Sequence, residues 1–447
     1  MKKMGYAVLL SMAVAVSSLT GCGSGVSGQA PAPAASDDQM TSTAAASSEA
    51  ATSAAVATSA AASSDSGDGV TITFGSWGND YEIEAYKKMA EGVSDAVPGV
   101  KEVKFITYAS TDDFWNNIPS QMAAGTAPDL IYPTDENAYE YIKGGLYDSI
   151  DTSAVDLSNV SSDALKVWTV DDKLYGIPLT MQPTCLLLNL DLFKKFGYTD
   201  ADYPKSWDDV RKIAEKVSDP KNNFYGLCLY MENPFHFTQV LQGFVGSWGD
   251  GKTIDSDKNE AALQWAIDMF KDGLAVSPTQ LGDHWDGETF AANKCLMTTG
   301  GVWYYGQMQS AAPNTNYIAL PIPQQNWDTP ACSLHSSALV ILKNCQHKDL
   351  ASKVAAYMSR VDSQKINTEA SGAIPSNPGL KEEYFKTHTQ FTQLNGEEKY
   401  AVSFGYPAKT TEFETDFVNA VTAVIYDSTN NTSAKDILSQ LQSQYGE

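Results

Sequence analysis

The sequence predicts an α/β protein of two lobes, and three observations carry that expectation. Residues 70–447 number 378, more than one ordinary hydrophobic core accommodates and a suitable length for two. Within them short β-branched runs alternate with helix-periodic runs, the rhythm of a largely parallel sheet covered by helices. No stretch after the N-terminal segment approaches 18 consecutive apolar residues, and no short-period repeat is present, which excludes a second membrane span and a solenoid.

The elements follow in order. Val70-Thr71-Ile72-Thr73-Phe74 alternates and is β-branched, a strand that runs into the loop 75–80. Helical spacing covers 82–93, and 103–108 is the second strand. A helix over 114–123 ends at Gly125, and Asp129-Leu130-Ile131-Tyr132 is a short buried strand. Residues 184–189 form a strand. Ser206 opens a helix over 207–217, and the helix 259–271 ends before Gly273. Strands are expected at 294–299, 317–321 and 338–342, and a strongly patterned helix at 348–360.

The first 22 residues read as a targeting segment. Lys2 and Lys3 precede an apolar stretch, 6–16, too short to span a bilayer. It closes on Leu19-Thr20-Gly21-Cys22, which resembles the bacterial lipobox. That resemblance implies cleavage before Cys22, lipid on its sulfur, and a protein held on the extracellular face of the cell membrane. Each buried CH2 contributes roughly 0.8 kcal/mol to such an anchor. Residues 23–69 are almost entirely Ala, Ser, Gly, Thr, Pro and Asp. They cannot bury enough surface to offset their ordering entropy and are expected to form a disordered tether.

Without Lys2 and Lys3, 28 basic residues face 54 acidic ones, a formal charge of −26. Nucleic acid and anionic lipid are therefore poor partners. Beyond Cys22 five cysteines remain, at 185, 228, 295, 332 and 345. An odd number cannot all pair, and no metal-binding spacing occurs among them. Their apolar surroundings favour buried thiols, with one disulfide open and unassigned.

Several segments, taken in order, resemble the family-1 extracellular solute-binding proteins of ABC importers, the sugar-binding group that includes maltodextrin-binding proteins. They are Gln121-Met122-Ala123-Ala124-Gly125-Thr126-Ala127-Pro128-Asp129-Leu130, Gly176-Ile177-Pro178, Leu188-Asn189-Leu190-Asp191-Leu192-Phe193-Lys194-Lys195-Phe196-Gly197 and Pro204-Lys205-Ser206-Trp207-Asp208-Asp209. Further along come Phe290-Ala291-Ala292-Asn293-Lys294-Cys295-Leu296-Met297 with Gly300-Gly301-Val302-Trp303, the stretch 331–360, and Gly372-Ala373-Ile374-Pro375-Ser376. Leu188 stands where that family has Tyr, and Asn293 where it has Gly.

The resemblance implies the two-lobed periplasmic-binding-protein-like fold (type II), a hinge of crossing segments, and a ligand cleft between lobes. It places crossings near Leu179-Thr180, Leu320 and Ser371, so one lobe takes 70–180 and 321–371, the other 181–320 and 372–447. It also implies a monomer that closes on its ligand, docks on ABC permease transmembrane subunits, needs no cofactor and is not an enzyme.

A sugar offers flat C–H faces and a ring of hydroxyls, matched by aromatic rings and planar polar groups. Aromatics on expected loops are Trp77, Trp248, Trp285 and Trp303-Tyr304-Tyr305. Trp303 also sits where the resembled family stacks sugar. Polar candidates are Asn79, Asp80, Asp135, Glu136, Gln182, His236 and His335. The only arginines are Arg211 and Arg360, both in expected helices, so the bidentate clamp used by anion receptors is missing from every loop. The balance favours a neutral or cationic ligand. An oligosaccharide comes first; a polyamine or metal receptor, or a cell-surface carbohydrate-active enzyme, stays open.

Three motifs tempt. Gly246-Ser247-Trp248-Gly249-Asp250-Gly251-Lys252-Thr253 matches a phosphate loop by letter, but no helix opens at its Lys-Thr. Asp255-Ser256-Asp257 begins like a calcium loop but lacks the Gly and terminal Glu, and reads better as a helix cap. Tyr304-Tyr305 resembles the paired tyrosines of ferric-ion receptors.

Overall fold

The computed structural model describes residues 69–446 apart from 79, 110, 137 and 154. The leader with Cys22, residues 23–68 of the tether, and Asn79 lie outside the described residues.

Two sheets organise the chain. The first has the order Val100–Thr107, Val70–Ser76, Leu130–Ile131, Ala338–Leu342, Tyr147–Asp148, with Gly176–Pro178 also paired to Ala338–Leu342. The second has the order Ala275–Val276, Tyr225–Cys228, Cys295–Gly300, Cys185–Asn189, Tyr317–Pro321. The expectation of largely parallel sheets is corrected: both are mixed. Val70–Ser76 is parallel to its neighbours, and Tyr225–Cys228 likewise. Ala338–Leu342 is antiparallel to every strand it meets, and so is Cys185–Asn189. These two enter their sheets straight from a crossing segment. A strand arriving from the hinge runs against strands that emerge toward it.

Burial explains why strand 185–189 reads as an unbroken apolar run. Leu186 and Leu188 face one core with Leu227, Leu296 and Met297, while Cys185 and Leu187 face another with Cys228, Phe290 and Tyr317. A strand covered on both faces needs no polar alternation. In the first sheet Ile72, Phe74, Ile131 and Val340 join Met89, Phe114 and Trp168 in a separate core. Fully burying each such side chain contributes about 1.5–3 kcal/mol. All five cysteines from 185 onward are buried and free.

Helix Trp207–Val217 shows how local sequence and core agree. Ser206 accepts from Asp209 N, Asp209 returns the bond, and Trp207, Val210, Ile213, Ala214 and Val217 form its buried stripe. The cap reading of Ser256 also holds: its side chain accepts from Asn259 N at the start of Asp257–Lys271. Asn259 then donates to the carbonyls of Ser247 and Thr253 at 2.9 and 2.8 Å, so the phosphate-loop lookalike is stitched to a helix side chain.

The hinge is a small ribbon. Gln182–Pro183 runs antiparallel to Cys332–His335, whose other edge pairs in parallel with Ala401–Val402. The third crossing is tied in by Met181 N to Ile374 O at 3.1 Å and Ser376 N to Leu179 O at 2.9 Å. Among the described residues no helix is long and apolar enough to cross a membrane.

Candidate ligand-binding cleft

The hinge end of Cys332–His335 brings both lobes' side chains together. Strand Leu130–Ile131 leads into Asp135, whose N–H donates to Ser336 O at 3.0 Å and whose Oδ1 accepts from Ser336 N at 3.0 Å. This double clasp holds the first lobe's carboxylates against the second crossing. His335 Nδ1 lies 3.2 Å from Glu136 Oε1 and 3.7 Å from Asp135 Oδ1. From the second lobe come Phe235 and Trp303, their ring centroids 5.4 and 4.8 Å from the His335 ring and 5.6 Å from each other. Phe404 stands 5.7 Å from Phe235.

Trp303 takes this position because two glycines precede it. A Cβ on Gly301 would come within 2.0 Å of the Trp303 ring, and one on Gly300 within 2.4 Å of Tyr304. The Gly-Gly-Val-Trp sequence thus lets both rings fold back over the strand end. Trp303 remains half-buried, while Tyr304 is fully enclosed.

The electrostatics are acidic. Burial pushes the Asp135 carboxyl up to about 7, with His335 opposing the rise. Burial alone would lower His335, but Glu136 and Asp135 outweigh it and leave the imidazole above its ordinary value. Burial, reinforced by Glu136 and Glu140, pushes Glu414 up to about 8. Glu140 on helix Ala138–Lys143 accepts from Thr411 N and Oγ1 at 3.3 and 3.2 Å, which links the lobes. Both arginines are committed elsewhere: Arg211 to Glu215 and Asp272, Arg360 to the carbonyls of Met89 and Tyr357.

Of the expected site residues, Asp135, Glu136, Trp303 and His335 converge. Trp77 is half-buried at the end of the first strand, 4.6 Å from Phe114, and Asp80 is exposed at a helix start. Trp285 is half-buried, 5.2 Å from Tyr304.

Four expectations are corrected. Trp248 is fully buried, its Nε1 donating to Thr238 and its ring among Phe237, Phe413 and Phe417; it is core because the later helices close over it. Tyr304 is interior, its hydroxyl donating to Asp286 and to Thr299 O, so it and Tyr305, beside His388, do not form a pair on one ligand. His236 is buried 3.1 Å from Thr299 O and 3.4 Å from Asp286, beneath the strand end. Gln182 is buried in the hinge, where its Oε1 accepts from Ile374 N at 3.3 Å. Among the described residues no group of three or more His, Cys, Asp or Glu is placed to hold a metal.

Sequence reasoning missed Phe235, Glu140 and Glu414. The signal for Phe235 was present: Asn233 caps and Pro234 opens a helix, Pro234–Gly243, that was not assigned. Glu140 and Glu414 had none, since only folding brings positions 140 and 414 together.

The sequence profile of bacterial extracellular solute-binding proteins matches residues 83–393. The multiple sugar-binding protein of Streptococcus mutans is 22% identical over 71% of this chain and 78% of its own length. The galactooligosaccharide-binding protein of Bacillus subtilis is 22% identical over 68% of this chain and 74% of its own. In three dimensions an ABC substrate-binding protein from Listeria monocytogenes, in complex with cycloalternan, superposes with TM-score 0.72 at 19% identity, over 85% of this chain and 98% of its own.

Proposed function

The chain belongs to the bacterial extracellular solute-binding proteins, and from that premise we propose that it binds a carbohydrate between its lobes and delivers it to an ABC importer. One observation carries this reading: a half-buried tryptophan, Trp303, stands at the hinge beside His335, Asp135 and Glu136. An aromatic face next to planar polar groups is the complement of a sugar ring. Trp77, Asp80 and Trp285 extend the cleft walls in this proposal. Its lobes comprise 70–180 with 321–371 and 181–320 with 372–447. It is a monomer, anchored through lipid on Cys22 to the extracellular face of the membrane. It meets permease subunits when closed, and returns its sugar unaltered.

Thermal unfolding against an oligosaccharide panel tests the reading. A sugar at 100 times its Kd adds about 2.7 kcal/mol of stability, a clear rise in Tm. Recovery of shortened sugar would instead indicate a glycosidase.

A second reading is favoured by the carboxylates. Glu414, raised first by burial and further by Glu136 and Glu140, stands among groups of one sign, which suits a cationic ligand such as a polyamine. A shift with spermidine and none with any sugar would select it.

A further inference from the structure

We infer that Asp286 is a positioning residue, one buried carboxylate that holds Trp285, Trp303 and Phe235 in place as an aromatic wall of the second lobe. This rests on the carbohydrate reading above and adds to it what aims the rings. Asp286 has no exposed surface. Its Oδ2 accepts from Thr298 Oγ1 at 2.9 Å and from the Tyr304 hydroxyl, and His236 Nδ1 stands 3.4 Å away. Helix Asp286–Ala291, strand Cys295–Gly300, helix Tyr304–Ala311 and helix Pro234–Gly243 thus meet on one oxygen.

Three of the residues in this knot are chain neighbours of a ring. Asp286 follows Trp285, Tyr304 follows Trp303, and His236 follows Phe235. Trp285 and Trp303 each stand just before the first residue of a helix, and neither makes a side-chain cap hydrogen bond. Local sequence therefore leaves both helix starts unpinned, and the bond from Tyr304 to Asp286 pins one to the other. Each ring then folds back over a glycine: a Cβ on Gly287 would come within 2.1 Å of the Trp285 ring, and one on Gly301 within 2.0 Å of the Trp303 ring. The Trp285 and Trp303 rings end 5.2 and 6.2 Å from Tyr304, with Phe235 5.6 Å from Trp303. Both tryptophans stay half-buried.

Stability alone is a poor account of this carboxylate. Asp286 Oδ1 is buried with no hydrogen-bond partner among the described residues, which costs free energy, and well-packed apolar side chains serve a fold at least as well as a buried charge. What a charged acceptor adds is direction: its hydrogen bonds are short, and a network of them holds one arrangement rigid. A wall set in advance spares the ligand the cost of ordering the rings. Loss of the Tyr304 hydroxyl alone leaves Thr298 and His236 on the carboxylate, whereas loss of the carboxylate releases all three.

Fluorine NMR of the full chain tests this, with 5-fluorotryptophan in place of tryptophan and the two signals assigned through Trp285→Phe and Trp303→Phe. Asp286→Ala should shift and broaden both signals. Asp286→Asn, which keeps an accepting oxygen, should leave both near their original positions. Ser206→Ala, which weakens the fold at a different helix start, should move neither. If Asp286→Ala does not fold, Thr298→Val takes its place: it removes one donor to the carboxylate, and both signals should shift. A Trp303 signal that stays put in the Ala variant, or in Thr298→Val where that stands in, overturns the inference. So does an Asp286→Asn spectrum with both signals displaced, or a Ser206→Ala spectrum that reproduces the Asp286 effect. No sugar enters the measurement, so a failed oligosaccharide screen and a failed positioning test are told apart.

Discussion

Trp303 and Tyr304 are adjacent in sequence and opposite in circumstance. The first is half-buried against His335; the second is enclosed and donates its hydroxyl to Asp286, which has no exposed surface. Replacing each separates binding from stability. Trp303→Ala should weaken sugar affinity about tenfold or more, as loss of an aromatic anchor does, with little change in Tm. Tyr304→Phe should leave affinity near its original value and cost about 1–3 kcal/mol, because a buried carboxylate loses a donor. Calorimetric titration and thermal unfolding of both variants check this; loss of affinity confined to Tyr304→Phe would reverse the assignment. Trp248 obeys the same logic as Tyr304. Its glycine neighbours made it look like a loop aromatic, and its ring is shielded by Phe413 and Phe417 from a helix more than 150 residues later.

Elements were most legible where a local stop or start signal coincided with periodic burial. Helix Trp207–Val217 came out at its expected bounds because Ser206 and Asp209 cap it reciprocally and its apolar stripe is regular. Strands Tyr317–Pro321 and Ala338–Leu342 were equally clear. Ser206→Ala should therefore cost about 1 kcal/mol, the usual loss of an N-cap, measured as a lower urea midpoint with unchanged slope; no change would mean that the core alone fixes that helix start. Elements that lacked such signals escaped. Tyr304–Ala311 has no side-chain cap at Trp303 and follows a Gly-Gly pair that reads as a turn. Helix Thr410–Ile425, with no side-chain cap at Lys409, owes its place to burial against the second core, whereas Ala434–Tyr445 did carry a start signal, the reciprocal cap of Ser433 and Asp436.

At the scale of the molecule the notable feature is an acidic seam between lobes. Asp135 is raised to about 7, Glu414 to about 8, and His335 above its ordinary value. Each folded-state value exceeds its unfolded one, so the native chain binds more protons than the unfolded chain between roughly pH 4 and 8. Stability from these groups is complete at the acid end of that window and is lost as pH rises through 7 to 8. Tm should fall from pH 5 to pH 8.5, and Glu414→Gln should flatten the slope. A Tm that rises over this range, or a slope indifferent to the substitution, would contradict the assigned burial.

The sequence by itself determined the α/β class, the solute-binding family through ordered motifs, and four members of the candidate site: Asp135, Glu136, Trp303 and His335. Each follows from local chemistry, from strand alternation, caps, glycines beside a ring, or position at a strand's end. Only the tertiary structure decided the mixed sheets, the interior fate of Trp248, Tyr304, His236 and Gln182, and the meeting of Glu136 and Glu140 with Glu414. The physical reason is that strand direction, burial and charge proximity depend on which distant segment arrives beside a residue, and the crossings of the hinge set those arrivals.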